Sequence, residues 1–568
     1  MKTLLLSLVL MMMGNMVSAQ AEWWRNAAVY QVYPRSYQDS NGDGIGDLDG
    51  LISRLDYIQS LGFTAIWVSP FFSSPQGDFG YDISNYRDCA PEYGTLATID
   101  KLIAEVHRRD MRIIFDMVMN HTSNQHPWFL ESKSSKDNPK RDWYVWHEGK
   151  GNRKDKNPPT NWKAMIGGRG WQYDAHTQEW YWATFLPFQP DLNYHNPEVR
   201  NAMLDNVRFW LEKGVDGFRL DIFNSLYEDD QFRENPFSFA LLPNESNPNG
   251  FFQRMEHTVD HPGSFAFAKE LRAILDEYNN PPRYLVGEVF GKAEVLKQYI
   301  GEERDGLHTV FLFEMLAFKF EAEYFHKLIA KLEREFSYPF TPTWVFSNHD
   351  RKRSISRIGN DVRKAKLLAM LQLTVRGVSY TYMGEEIGMV QARISLKQAQ
   401  DSLALRYKWI PQFMVNMASE SLNRDECRTP MQWDVTVNAG FCPPTAKPWL
   451  PATAGYETTN VASQEADPKS LLHMYRRLLH LKQSHPAFAS PVLELVPEDS
   501  LPKNVLGYYR GQGKDKLLVL LNFNDKAVDM PVLGTGKVLL MLSQASWVNR
   551  LEGYSGVVLE MGTGMSEP

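Results

Sequence analysis

The sequence predicts an α/β protein: a (β/α)8 TIM barrel with an inserted subdomain after its third strand and an all-β domain at its C-terminus. Three observations predict it. Short apolar runs alternate with longer amphipathic stretches, the signature of repeated βα units. Eight such runs favour a closed barrel over an open doubly wound sheet. After Ser490 the pattern changes to short alternating strands.

Met1-Lys2 followed by the apolar stretch Leu4 to Met13 and the small residues Val17-Ser18-Ala19 predicts a secretory signal peptide over 1–19. Its apolar run is too short to span a bilayer, and no later segment is long and apolar enough. Export to the periplasm or the extracellular medium is expected, with no membrane span. The expected strands are Ala28 to Tyr33, Ala65 to Val68, Arg112 to Met117, Gly217 to Leu220, Tyr284 to Val286, Thr309 to Phe313, Thr343 to Phe346 and Val378 to Tyr382. Helical patterns cover Leu51 to Ser60, Ile99 to Arg109, Val199 to Lys213 and Phe265 to Tyr278. The barrel is assigned to 20–120 and 194–489. Residues 121–193, rich in Trp, Lys, Asn, Pro and Gly, form an inserted domain on a βα loop, where active-site walls arise. A second irregular stretch, Gln391 to Thr459, precedes a helix over Lys469 to Lys482. Residues 490–568 are assigned to a β-sandwich with strands at Leu506 to Tyr509, Lys516 to Asn522, Lys537 to Met541 and Gly556 to Glu560.

With 568 residues, 43% hydrophobic and 23% charged, the chain is long enough for more than one domain and ordinary for a globular protein. A net charge of −7 argues against nucleic acid, which requires a basic stripe. Aromatic residues make up 13%; their faces suit sugar rings, and they equally fill cores. Of three cysteines, Cys427 and Cys442 are close enough in sequence to bridge, although a chain this large does not need the staple. None sits beside a His in a triad-like context.

Asp221, Glu288 and Asp350 each stand where an apolar, strand-like run turns polar. In a parallel barrel such positions project into the C-terminal mouth. Two carboxylates flanking a sugar linkage, with a third nearby, suffice to cleave a glycosidic bond. Taken singly, each is equally a strand-end acid capping the next helix.

The order of strings decides between these readings: Val29-Tyr30-Gln31-Val32-Tyr33-Pro34-Arg35-Ser36, Gly80-Tyr81-Asp82-Ile83, Asp116-Met117-Val118-Met119-Asn120-His121-Thr122, Gln189-Pro190-Asp191-Leu192-Asn193, Gly217-Phe218-Arg219-Leu220-Asp221, Gly287-Glu288, Asn348-His349-Asp350 and Arg428-Thr429-Pro430-Met431-Gln432-Trp433-Asp434. Together they resemble the α-amylase superfamily (glycoside hydrolase family 13), in its oligo-1,6-glucosidase and α-glucosidase branch. The resemblance runs from Trp23 to the C-terminal β-domain. It implies Asp221 as nucleophile, Glu288 as general acid/base and Asp350 as transition-state stabiliser, with Arg219 holding Asp221 ionised. It also implies that Tyr81, Asp82, His121, His349 and Arg428 grip the terminal glucose, Asp82 and Arg428 jointly taking the 4-hydroxyl and closing one end of the pocket. His107, His126 and His147 have no such support.

Asp39-Ser40-Asn41-Gly42-Asp43-Gly44-Ile45-Gly46-Asp47 offers oxygen at every second residue, as hard cations require. As an EF-hand loop it fails, because Gly50 stands where the bidentate Glu belongs. The same string resembles the family's structural Ca2+ site, implying Asp39, Asn41, Asp43 and Asp47 as side-chain ligands and Ile45 as a carbonyl ligand. The alternative is a metal-free Asp/Gly turn. No organic cofactor is expected.

Ile222 departs from the family pattern, whose α-1,6-acting relatives tend to carry Val there and whose α-1,4-acting ones carry Ala or Thr; Ile tilts the reading toward α-1,6 or mixed action. Phe311-Leu312-Phe313 and Arg351-Lys352-Arg353 also depart, the latter placing extra cations at the pocket entrance. The resemblance thus implies a retaining, exo-acting α-glucosidase for an oligosaccharide or disaccharide, as a monomer or weak homo-oligomer. A transglycosylase or sugar isomerase would use the same residues. A non-catalytic binding protein, as in transporter heavy chains of this fold, would have an anchor and lack the acids.

Overall fold

The structure is a computed structural model describing residues 22–240, 247–409, 422–534, 536–543 and 547–562; the expected signal segment, 1–19, lies outside the described residues. Its central sheet contains β1 Ala28–Val32, β2 Ala65–Val68, β3 Arg112–Val118, β4 Gly217–Asp221, β5 Tyr284–Gly287, β6 Thr309–Val310, β7 Thr343–Val345 and β8 Val378–Tyr382. The order is β6-β5-β4-β3-β2-β1-β8-β7, so sequence neighbours pair and β8 returns to β1. Thr343 spans the remaining gap: its hydroxyl donates to Val310 O and accepts from Leu312 N, each at 2.9 Å. The barrel is nearly closed.

Strand side chains alternate between faces, so residues two apart share one. Val29, Ala65, Ile114 and Val286 fill the barrel interior. Two residues further along each strand direction stand Gln31, Trp67, Asp116 and Glu288, and β4 adds Arg219 and Asp221. The inward face therefore turns from apolar to polar at the C-terminal mouth.

Some elements differ from expectation. The β6 ladder stops at Val310 and Phe313–Ala317 is a 3-10 turn, although the apolar run continues. Phe311 and Phe313 are buried with ring centroids 5.4 Å apart, so burial of irregular chain mimics a strand. The helix expected over Leu51 to Ser60 is two, Leu48–Ser53 and Leu55–Leu61, broken at Arg54. The Cys427–Cys442 bridge is not formed. All three thiols are free and buried; Cys427 Sγ turns instead to His349 O at 3.2 Å and Arg424 O at 3.1 Å.

Between β3 and the helix Pro197–Glu212, a three-stranded antiparallel sheet (Trp146–His147, Glu179–Trp182, Trp171–Asp174) packs around the indoles of Trp162, Trp171, Trp180 and Trp182. Asp191 ties this segment to the barrel, accepting from Thr184 N at 2.8 Å and Asn120 Nδ2 at 2.9 Å. At the C-terminal end, Leu493–Leu495, Val505–Arg510, Leu517–Asn522, Ser555–Met561 and Gly536–Met541 form a five-stranded antiparallel sheet. It docks on the helix Val362–Thr374, where Arg510 Nη1 donates to Thr374 O at 2.7 Å. Among the described residues no helix is long and apolar enough to cross a membrane.

Candidate active site

Ladder register assembles the centre. Pairing of β3 with β4 sets Asp116 opposite Arg219, and pairing of β4 with β5 sets Val286 opposite Arg219. Glu288, two residues beyond Val286, thus comes level with Asp221. Arg219 Nη1 donates to Asp116 Oδ1 and Asp221 Oδ1, both at 2.8 Å, and its Nη2 donates to Glu288 Oε2. The guanidinium lies 5.3 Å from the Trp67 ring, whose Nε1 donates to Asp116 Oδ2 at 3.1 Å.

One cation here serves three buried acids. Burial pushes Asp221 up to about 6 and Asp116 up to about 6, against the pull of Arg219. Burial lifts Glu288 further, to about 8, with the charges of Asp221 and Asp350 adding to it. Between those values Glu288 holds a proton that Asp221 has lost, the division of labour that an acid and a nucleophile need.

Asp350 is the opposite case. Burial raises it, but His349, Arg428 and Arg424 outweigh burial and hold its carboxyl far below the usual range. Arg428 Nη2 donates to its Oδ1 at 2.7 Å and Arg424 Nη1 at 3.3 Å. Gln31 Nε2 donates to His349 Nδ1 at 2.7 Å, which fixes the ring proton on Nε2. That N–H lies 2.6 Å from Tyr81 Oη and 3.0 Å from Asp350 Oδ2. Burial lowers His349 to about 3, so the ring works as a neutral donor. The Tyr81 ring stacks on it at 5.5 Å and 5°. His121 is buried and neutral, lowered to about 4, with Nε2 at 3.1 Å from Tyr81 O.

Asp82 and Arg428, expected to take the glucose 4-hydroxyl together, share no hydrogen bond with each other. Asp82 is consumed by its own turn, its carboxylate accepting from Ser74 Oγ, Gly77 N and Asp78 N, each at 2.9 Å. The facing pair lies four residues earlier in both strings: Arg424 Nη2 donates to Asp78 Oδ1 at 2.6 Å and to Asp401 Oδ1 at 2.7 Å. Sequence reasoning missed Asp78, Arg424, Asp401 and Gln31, and gave Asp116 no role. Asp78 and Arg424 are 346 positions apart, so no spacing could have joined them. Of the cations expected at the entrance, Arg353 is instead buried, donating to Met383 O at 2.9 Å and Cys427 O at 3.1 Å.

The loop 39–47 folds on its own carboxylates. Asp39 accepts from Asn41 N at 3.0 Å and Gly44 N at 2.8 Å, Asn41 Oδ1 from Asp43 N at 2.9 Å, and Asp43 from Ile45 N at 2.8 Å. Asp47 accepts from Ser40 N at 2.8 Å and Gly50 N at 2.7 Å, capping the helix Leu48–Ser53. Among the described residues no three His, Cys, Asp or Glu side chains converge as a metal cluster. The donors are all oxygen, which is the chemistry of a hard cation, yet here they satisfy backbone N–H groups.

Residues 31–490 match the alpha amylase catalytic domain. The chain belongs to the α-amylase family of glycoside hydrolases. It is 42% identical to a probable alpha-glucosidase of Rhizobium meliloti (strain 1021), over 90% of this chain and 92% of that one. It is 36% identical to an oligo-1,6-glucosidase of Parageobacillus thermoglucosidasius, over 89% and 91% of the two chains. Among solved structures it is similar to an alpha-glucosyl transfer enzyme (35% identity, TM-score 0.84, 94% of this chain and 99% of that one). An isomaltulose synthase from Erwinia rhapontici NX5 is similar at 32% identity and TM-score 0.84, over 95% and 99%. In this α-amylase family chain the residue after Asp221 is conformationally unusual: Ile222 has φ 38° and ψ 48°. A β-branched residue in the left-handed region is strained by about 1–3 kcal/mol. Its N-terminal neighbour is the carboxylate that Arg219 aims.

Proposed function

We propose that the protein is a retaining, exo-acting α-glucosidase that releases terminal α-linked glucose from short oligosaccharides or disaccharides. The observation that carries the reading is the Arg219 fork, which holds Asp221 and Glu288 together while leaving their pKa values at about 6 and about 8. Asp221 attacks the anomeric carbon as Glu288 gives its proton to the departing oxygen; Glu288 then takes a proton from water, which opens the glycosyl ester. Asp350, kept ionised, accepts hydrogen bonds from ring hydroxyls and favours the positively charged transition state. Arg424, joined to Asp78, Asp350 and Asp401, closes the glycone end, which supports single-residue trimming. Replacing Asp221 with Asn should abolish p-nitrophenyl α-glucoside hydrolysis with folding intact, and α-glucose should be the anomer first released. Near-normal turnover, or β-glucose, refutes the assignment.

Transfer of the glucosyl unit to a sugar instead of water is the second reading, favoured by the similarity to glucosyl-transferring and sucrose-isomerising structures. Products from maltose, isomaltose, sucrose and trehalose separate the two. The oxygen-rich 39–47 loop supports a structural Ca2+ held by Asp39, Asn41, Asp43, Asp47 and the Ile45 carbonyl; a chelator should then lower Tm, and an unchanged melting curve removes the metal. Residues 1–19 support export, checked by the N-terminus of the mature protein. A monomer or weak homo-oligomer is part of the same proposal, read by light scattering.

A further inference from the structure

A second cavity, about 590 Å3 in volume, opens where the short strand Asn85–Cys89 and the start of the inserted segment meet the helix Pro197–Glu212. That is within the size range of small-ligand sites. None of the acids or arginines of the catalytic centre lines it. Two half-buried indoles, Trp128 and Trp143, form one corner, with ring centroids 4.9 Å apart and planes at 64°. The imidazole of His126 backs Trp128 at 4.4 Å.

The polar wall is unfinished. Asn206, only 3% exposed, accepts from Arg87 Nε through Oδ1 at 2.7 Å, while its Nδ2 has no partner. A buried amide donor without an acceptor is unfavourable, and a small rotation of the Asn206 side chain toward the cavity would bring it to a ligand hydroxyl oxygen. His126 Nδ1 accepts from Trp128 N at 3.1 Å, which leaves the ring proton on Nε2 as a second donor. Burial keeps that ring neutral. Of the charged groups of the wall, Lys140 pairs with Glu131 at 2.9 Å and Asp205 with Arg208 at 3.8 Å, while Arg87 is held by Asn206 Oδ1 and by the Phe209 ring, 5.5 Å away. A phosphate or carboxylate ligand would find a single guanidinium, already turned to Asn206, whereas apolar ring faces with neutral donors match the C–H face and hydroxyls of a sugar.

We propose that this cavity binds a neutral hexose unit of an oligosaccharide, separate from the site of cleavage. Its gluco identity rests on the function proposed above; the hexose class rests on the cavity alone. The test is calorimetric titration of maltotriose into the Glu288→Gln enzyme, alone and with Trp128→Ala or the isosteric Asn206→Asp added. Two binding events are expected, the second lost in Trp128→Ala and weakened in Asn206→Asp. In an otherwise native chain, Trp128→Ala should hydrolyse p-nitrophenyl α-glucoside at the parent rate, which confirms folding. A single event in the Glu288→Gln enzyme, or two events surviving both substitutions, overturns the proposal. If the native chain does not hydrolyse the glucoside, the functional reading fails by itself, and the count of binding events still decides the cavity.

Discussion

Two arginines, Arg219 buried and Arg424 partly so, organise the mouth of this barrel, and each gathers three carboxylates. Arg219 holds Asp116, Asp221 and Glu288; Arg424 holds Asp78, Asp350 and Asp401. Yet the acids behave differently. Around Arg219 all three are raised, Glu288 to about 8. Around Arg424, Asp350 and Asp401 are lowered, and only Asp78 rises. Burial is common to both, so it does not explain the difference. Charge ratio does: Arg428 adds a second cation to the Arg424 group, 2.7 Å from Asp350, while Arg219 stands alone. A deficit of one cation lets the first group keep a transferable proton, while in the second group Asp350 and Asp401 are held ionised.

The strongest way to break this comparison is Arg219→Met. It leaves three buried acids without a counter-charge, and kcat/KM for p-nitrophenyl α-glucoside should fall by at least ~10³-fold, with about 3–5 kcal/mol of stability lost in urea unfolding. Arg424→Met keeps Arg428 in place and should lose only ~10–100-fold, mostly through KM, the scale of one charged hydrogen bond. Equal losses in the two variants would mean that the groups do not divide chemistry from binding. The pH profile sharpens the same point. Activity needs Asp221 ionised and Glu288 protonated, so kcat/KM should be half-maximal near pH 6 and again near pH 8, with the values belonging to the coupled acids jointly. Asp350 should add no limb in the native enzyme; Arg428→Met should raise its pKa and make the acid limb steeper. The smallest effect lies outside both groups. Measured in excess chelator, Asp47→Ala removes only the cap on Gly50 N and should cost about 1 kcal/mol in urea unfolding with kcat unchanged.

Much of this is legible in the sequence. Strands of a parallel barrel are buried on both faces and read as unbroken apolar runs, so the ends of β4 and β5 and the acids beyond them could be placed from the chain alone. The β6 region shows the limit: Phe311 and Phe313 are as apolar as strand residues and as buried, but the ladder has already ended. The convergence of Asp221, Glu288 and Asp350 came through the order of their strings. The Asp78–Arg424 pair did not. Asp78 and Asp82 differ by one helical-looking spacing, as do Arg424 and Arg428, and only the hydrogen bonds of the 74–82 turn show which acid is free to pair. Gln31 was invisible for a related reason, since its task is to set a proton on His349, a property of geometry and not of residue type.

Ile222 carries a consequence for how this chain can change. Its left-handed backbone is the kind of tension that glycine or asparagine relieves. Selection for heat resistance alone would favour such replacements, and each would slacken the peptide that orients Asp221. Ile222→Gly should therefore raise Tm and lower kcat together, durability gained against speed at one backbone position.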